Sequence, residues 1–259
     1  MVCKFCAVPY LGHMPRETLT REQIVKAAVD LLDAEGLEGL NMRALGTRLG
    51  SAATAVYWHV GRKDNLIALA GDLAWNEVAL PDVTAVDWRT AATQMATDLH
   101  AMLTRHPWLV QAFGSVPVLS PGKARHDDHT LALYEAAGFA GAQADQAVAA
   151  VFTFVLGNAL GSASAATLTR KLCRDGNAEE LMREHLAKAS EIAAKFPRLR
   201  SRLDAPAAEY GAAPEGSFEF GLHAVLDGLE ARLMSRQPPT GQTQVRPATS
   251  PAGRNSETA

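Results

Sequence analysis

The stretch LNMRALGTRLGSAATAVYWHVGRK, residues 40–63, decides the fold of this chain. Asn41 can cap a short helix that stops at Gly50, and a second short helix can run from Ser51 to about Gly61. Two short helices joined by a tight glycine-containing turn, with longer helices on either side, are typical of a helix-turn-helix. The stretch therefore predicts that motif.

Helical periodicity continues on both sides of the motif, and no run of alternating residues indicates a strand. Upstream, Thr20 and Gln23 form a capping box, and Gly36 is expected to end the first helix. Residues 197–216 contain three prolines and are predicted to form a long loop. The other predicted helices cover residues 63–78, 88–105, 108–113, 123–137, 142–165, 178–195 and 217–234. We therefore expect an all-α protein.

Pro81 and Asp82 interrupt the helical pattern and mark a domain boundary. The last residues are rich in Pro, Thr, Ser and Gln, a composition typical of disorder. Met14 is a candidate start site, because the helical pattern begins soon after it. The predicted organisation is a flexible tail at 1–18, a helix-turn-helix domain at 19–80, a larger helical domain at 83–236 and a disordered tail at 237–259.

The composition excludes several classes of protein. Three cysteines are too few for a disulfide framework, which favours a reduced, cytoplasmic setting. Cys3 and Cys6 have CxxC spacing but lack a second ligand pair, so a tail that happens to contain two thiols is favoured over a metal or redox site. Residues 126–129 read HDDH, but adjacent helical residues diverge, so a solvated helix start is expected there. No metal or cofactor is predicted.

The net charge of −3 gives no global indication of a nucleic-acid partner. Charge is sorted locally, however: Arg43, Arg48, Arg62 and Lys63 lie in a stretch that has no acidic residue. A solvated basic face would explain these charges taken alone. Together with the turn and the aromatic residues, they favour binding to the phosphates of DNA.

The second helix of the motif carries small and polar side chains that can approach base edges closely. Tyr57 and Trp58 have an alternative role, which is only to close the small core. Val56 is assigned to that core. The residues predicted to face DNA are Arg43, Ala53, Thr54, Ala55, Tyr57, Trp58, His59 and Lys63.

Residues 24–69, with GLEGLNMRALGTRLG followed by AVYWHVGRKDNL, resemble the DNA-binding domain of the TetR family of transcriptional regulators. The resemblance implies that Arg43 reads a base and that Tyr57, His59 and Lys63 contact the DNA backbone. Ala52 and Ala53 depart from the family, which usually has a polar cap and larger polar residues there. Ser51 is expected to supply the cap instead, and the operator sequence does not follow from the resemblance.

The segments RHPWL at 105–109, EAAGF at 135–139 and FEFGLHAVLDGL at 218–229 resemble the C-terminal domain of the same family. The resemblance implies that helices 142–165 and 217–234 pack against their symmetry mates as a four-helix bundle. It also explains the uncharged stretch 146–169, which is long enough to cross a membrane, as an interface helix. The predicted dimer stripe is Leu222, Val225, Leu226, Leu229 and Leu233, with packing inside one subunit as the alternative.

A ligand pocket in this domain should be mostly apolar with a few orienting polar groups. The candidate lining residues, each of which could instead be core, are Met95, Leu99, His100, Met102, Phe113, Phe152 and Asn158.

The resulting hypothesis is a homodimeric repressor that a small-molecule inducer releases from a palindromic operator. A ligand-responsive activator is the nearest alternative. An all-helical enzyme and a pure interaction module are more distant, because no nucleophile elbow, phosphate loop or HExxH motif occurs.

Overall fold

The computed structural model describes residues 19–114, 120–174, 178–203 and 216–235, without the side chains of 171–178. This part of the chain is helical and contains no strand. The predicted tails, Cys3, Cys6 and Met14 lie outside it. Its helices are Arg21–Gly39 (α1), Met42–Arg48 (α2), Ala53–Val60 (α3), Lys63–Trp75 (α4), Trp88–Arg105 (α5), Pro107–Ala112 (α6), Pro121–Ala136 (α7), Ala142–Arg174 (α8), Ala178–Ala193 (α9), Pro197–Leu203 (α10) and Ser217–Met234 (α11).

Local capping explains where the first helices begin. The predicted capping box is present: Gln23 N donates to Thr20 Oγ1, and Thr20 N donates to Gln23 Oε1. Asn41 caps α2 by accepting from Ala44 N at 2.8 Å. Gly36 has φ 72°, which breaks α1, although one more turn follows before the helix ends at Gly39.

The helix-turn-helix is formed by α2 and α3 packed on α1 and α4. Its core consists of fully buried side chains that include Ile24, Leu45 and Val56. Gly46 allows the turn to approach α2, because a Cβ there would lie 2.8 Å from the Ser51 carbonyl oxygen. The Ser51 amide donates to the Gly46 carbonyl at 2.8 Å, which closes the turn.

The larger domain is built around α8, which packs on α5, α6, α7 and α11. The helix continues to Arg174, nine residues beyond the predicted end at Ala165. By length and apolar composition it could cross a membrane, but a buried helix of a folded domain meets the same criterion. Here α8 packs against five other helices, these four and α9.

The prediction of a loop over 197–216 is wrong at its beginning, because residues 197–203 form α10. Proline is compatible with the first turn of a helix, where no hydrogen-bond donor is needed. The Leu and Arg residues that follow Pro197 are good helix formers. The rest of the predicted loop, up to residue 215, lies outside the described residues.

The two parts of the molecule are joined by α4 on α7 and by α1 on α6. Asp72 of α4 accepts a hydrogen bond from the Gly122 amide at 2.6 Å. Nearby, Arg125 of α7 donates to the Asn76 side chain at 2.6 Å, and His129 Nε2 lies 2.8 Å from the Pro81 carbonyl oxygen. The end of the DNA-binding domain is therefore attached along one side of α7.

Candidate nucleic-acid interface and ligand cavity

The exposed face of α3 carries Thr54, Tyr57 and Trp58. Tyr57 and Trp58 lie three and four residues after Thr54, so the three side chains are neighbours on one side of the helix. Tyr57 is 53% exposed and Trp58 is 87% exposed, whereas Val56 is completely buried on the opposite side. Neither aromatic ring therefore closes the core, which leaves both available to a partner. Ala53, Ala55 and His59 are half-buried at the edge of this face.

The N-terminus of α3 differs from the prediction. Ala52 occupies the capping position and no side chain caps the helix, so the expectation that Ser51 supplies the cap is wrong. Instead, Ser51 is used in the turn, where its amide bonds to Gly46. No side chain therefore occupies the first amides of α3.

The predicted basic residues have different surroundings. Arg43 is exposed on α2, and Arg48 lies 3.7 Å from Asp30 of α1. Lys63 Nζ donates to the Leu37 carbonyl oxygen at 2.8 Å, which fastens α4 to the end of α1. An ammonium group has three donors, so this bond is compatible with the predicted phosphate contact.

An open groove beside the start of α3 brings in a basic residue that sequence reasoning missed. It is lined by residues of α1 and of the turn, among them Lys26, Gln23 and Ser51. Lys26 is exposed on α1, fourteen residues before the quoted stretch begins. Lys26 lies on the face of α1 opposite the buried apolar stripe, and this position in the helical pattern was the signal that could have identified it.

The predicted dimer stripe on α11 is corrected by its burial. Leu222, Leu226 and Leu229 are 2%, 0% and 8% exposed within a single subunit, so they pack inside it. Val225 and Leu233 are half-buried against the same core. Periodicity identified an apolar face correctly but could not distinguish a neighbouring helix from a second subunit.

A small cavity of about 20 Å³ lies between α5, α7 and α8. Three predicted pocket residues line it: Met95, Leu99 and Phe152. Sequence reasoning missed the polar lining from α7, which is His126, Asp127, Thr130 and Tyr134. These residues recur along one face of α7, and that spacing was the available signal.

The prediction of a solvated start for α7 is wrong at His126, which is buried with its ring 5.0 Å from that of Trp75. Lys123 Nζ lies over the rings of Trp75 and Phe152 and pairs with Asp127. Burial opposes the charge of Asp127, but hydrogen bonds from His126 and Lys123 and the charge of Lys123 lower the pKa of its carboxyl group.

Two buried polar atoms near this region have no partner among the described residues: the donor Trp75 Nε1 and the ring nitrogen His100 Nε2. Unpartnered buried polar atoms are rare because each costs free energy. Burial lowers the pKa of His100, although Asn158 and Glu219 act in the opposite direction. Its ring stacks on Phe218 with centroids 4.0 Å apart.

The remaining predicted pocket residues do not line the cavity. Met102 is buried in the core, and Phe113 packs edge-on against Phe152 with centroids 5.9 Å apart. His100 and Asn158 lie together beside Phe218 of α11. They form a separate polar pair rather than part of the same wall.

A helix-turn-helix with an exposed recognition face, joined to a larger helical domain, defines a class of DNA-binding regulators. Two family models match this chain: the bacterial regulatory proteins of the tetR family at residues 24–70, and the tetracyclin repressor-like C-terminal domain at 80–233. The chain therefore belongs to the TetR family and is a DNA-binding transcriptional regulator.

Similar proteins support this assignment over most of their length. An HTH-type transcriptional regulator of Saccharopolyspora erythraea is 34% identical, covering 82% of this chain and 85% of the relative. The HTH-type transcriptional repressor DrrR1 of Streptomyces coeruleorubidus is 31% identical, covering 86% of this chain and 82% of the relative. The crystal structure of Streptomyces coelicolor ActR in complex with actinorhodin has a TM-score of 0.64 at 28% identity, covering 83% of this chain and 97% of that chain.

Proposed function

We propose that the protein is a cytoplasmic homodimeric repressor that binds a palindromic operator through α3 and leaves it when a small molecule enters the larger domain. The observation that carries the proposal is the exposed Thr54, Tyr57 and Trp58 face of α3 in a chain with both family domains. Adjacent exposed aromatic side chains add to an apolar patch, and such patches mark contact with a partner.

The DNA contacts follow from the chemistry of this face. Thr54 can reach base edges, and the Tyr57 hydroxyl and His59 can bond to phosphate or base atoms. Arg43 supplies the charge-assisted bond best suited to guanine or phosphate. Ala53 and Ala55 add methyl groups but no polar readers, so sequence recognition rests on few side chains.

The dimer contact is proposed on the uncharged outer face of α8 and the neighbouring outer face of α11. Residues 146–169 of α8 contain no charged residue, and the exposed side carries small residues with Leu160, which is 53% exposed. On α11, Phe220 is 79% exposed. Two such faces related by a twofold axis would bury each other, as homodimer interfaces do.

A ligand is proposed to enter the cavity between α5, α7 and α8. Its volume of about 20 Å³ is well below the several hundred Å³ of typical ligand sites, so binding must move side chains. Phe152 lines the cavity, and the rings of Phe113 and Trp75 pack in sequence behind it, so an aromatic molecule that opens the cavity would meet these rings and the unpartnered donor Trp75 Nε1. ActR was solved in complex with actinorhodin at the similarity given above, which supports a small-molecule ligand for this chain.

Movement at the cavity would reach the DNA-binding domain through α4. Trp75 belongs to α4 and contacts His126, which lines the cavity. Asp72, one turn earlier, holds the Gly122 amide at the start of α7. A ligand that displaces α7 therefore changes the position of α4 and the distance between the two recognition helices.

The DNA-binding proposal is tested by selecting genomic DNA fragments with the full chain and measuring affinity for the enriched sequence by mobility shift. The double variant Arg43→Ala, Tyr57→Ala should bind on the order of 100-fold more weakly, since each contact of this kind contributes about 1–3 kcal/mol. Arg183→Ala, which removes an exposed arginine of α9, is the matched control and should bind normally. Unchanged affinity of the double variant would contradict the proposal.

The direction of regulation is tested separately, by a reporter placed behind the selected sequence. Deleting the gene should raise reporter output for a repressor and lower it for an activator.

A further inference from the structure

His106 lies between α5 and α6, and its side chain is only 4% exposed. Its Nδ1 atom is 2.7 Å from Asp33 Oδ1 on α1, and its Nε2 atom is 3.1 Å from Glu77 Oε1 just after α4. Both ring nitrogens therefore face carboxylates of the DNA-binding domain: Asp33 in its first helix and Glu77 at its C-terminal end. One side chain of the larger domain ties two separate elements together.

Only the doubly protonated ring satisfies this geometry. A neutral imidazole has one N–H group, so it can donate to Asp33 or to Glu77 but not to both. Burial opposes the charge of His106, but the hydrogen bonds and charges of Asp33 and Glu77 outweigh it and raise the pKa of His106 above its ordinary value.

The surrounding groups act on the charged form in opposite directions: a hydrogen bond to Asp33 stabilises that carboxylate, whereas the positive charge of Arg105 opposes that of the ring. Trp108 Nε1 of α6 donates to Asp33 Oδ1 at 2.7 Å, and Arg105 of α5 pairs with Glu77. The other helix packed on α6 is α8, and its Arg170 guanidinium lies against the break in α1. The charged groups that directly face the imidazole are thus the two carboxylates.

We propose that His106 is a positioning residue whose protonated ring fixes the DNA-binding domain on the larger domain, so that DNA affinity falls as pH rises. This inference rests on the proposed function, because it takes DNA binding as the output. Loss of the proton breaks the tie to α1 or to α4. A domain that is no longer held in place must lose more conformational freedom when it docks on DNA.

The pH window follows from the direction of the shift. Because the pKa of His106 is higher in the folded state, the tie is complete below the ordinary histidine value of about 6.5. It is lost as pH rises through the higher folded value. DNA affinity should therefore be greatest at the acid end of the range from pH 6 to 9.

The experiment compares wild type with His106→Gln over this range at constant ionic strength. The wild-type dissociation constant should rise at least about threefold more than that of the variant, which corresponds to a coupling of half a pKa unit. Effects of pH on the DNA face itself are common to both proteins and cancel in the comparison. His185→Gln, at an exposed histidine of α9, is the control and should keep the wild-type profile.

A second variant and a DNA-free signal complete the test. Asp33→Asn removes one charge and should move the midpoint of the profile to lower pH, a shift that simple loss of packing would not produce. The Trp108 indole N–H resonance reports the bond to Asp33 directly and should titrate with the same midpoint as DNA affinity.

The inference is overturned if His106→Gln keeps the wild-type pH profile, or if the Trp108 resonance does not titrate between pH 6 and 9. Failure of wild type to bind any selected DNA contradicts the proposed function instead. In that case, the pH dependence of hydrogen exchange at the α1 and α4 amides decides the inference. The inference is overturned if His106→Gln shows the same pH dependence as the wild type.

Discussion

Trp58 illustrates at the scale of one residue how burial separates a role in the core from a role in binding. It is 87% exposed, while Trp75 and Trp108 of the same chain are 1% and 0% exposed. A side chain that leaves its surface in water contributes little hydrophobic stabilisation to the fold. Its apolar surface is therefore available for contact with DNA.

Trp58→Ala should leave thermal unfolding nearly unchanged, because exposed substitutions usually alter stability by less than about 0.5 kcal/mol. Affinity for the selected DNA should fall roughly tenfold through loss of contact with the sugar-phosphate backbone. Calorimetry and mobility shifts measure the two effects. Trp75→Ala provides the contrast and should destabilise the fold by about 3–5 kcal/mol. A strongly destabilised Trp58→Ala protein would show that the exposed ring has a structural role.

At the scale of elements, α4, α7 and α8 meet around Trp75, Lys123 and Phe152. Lys123 Nζ lies 5.5 Å from the Trp75 ring centroid and 5.3 Å from that of Phe152. A cation between two aromatic rings is stabilised by both faces. A flat ligand that separates these rings would have to disturb all three helices together.

The planar probe anthraquinone-2-carboxylate should bind the wild-type protein and quench tryptophan fluorescence. Phe152→Ala should weaken binding at least about tenfold, because aromatic contacts and apolar burial together contribute 1–3 kcal/mol. Phe154→Ala on the same helix is the matched control, since Phe154 stacks on Phe218 rather than lining the cavity. Equal weakening by both variants would place the ligand elsewhere.

At the scale of the whole molecule, the larger domain leaves an apolar surface that its own helices do not cover. Leu160 of α8 and Phe220 of α11 stay exposed although both helices pack on each other. Further along α11, Asp227 and Glu230 both pair with Arg89 of α5, which offsets one of their two negative charges within the subunit. The surface is suited to a second copy of the chain.

Leu160→Asp and Phe220→Asp should each shift the protein from dimer to monomer, because burying an unpaired carboxylate costs several kcal/mol. Light scattering after size-exclusion chromatography measures the mass directly. Val86→Asp, at a half-exposed residue of the link between α4 and α5, should remain dimeric. Monomeric wild-type protein at micromolar concentration would refute the proposed interface.

The sequence by itself determined the helix-turn-helix, the caps of α1 and α2, and the local basic charge. These features depend on residues that are neighbours along the chain: Asn41 caps an amide three residues away, and Gly46 meets a turn five residues away. Most of the candidate DNA contacts could therefore be predicted before any packing was known.

Only the tertiary structure decided which surfaces face each other. It placed Leu222 inside the subunit and His126 beside the cavity, although periodicity allowed other positions for both. It also brought His106 to Asp33 and Glu77, which are 73 and 29 residues away along the chain. Helical periodicity specifies that a face is buried, but the partner of that face depends on how distant helices pack.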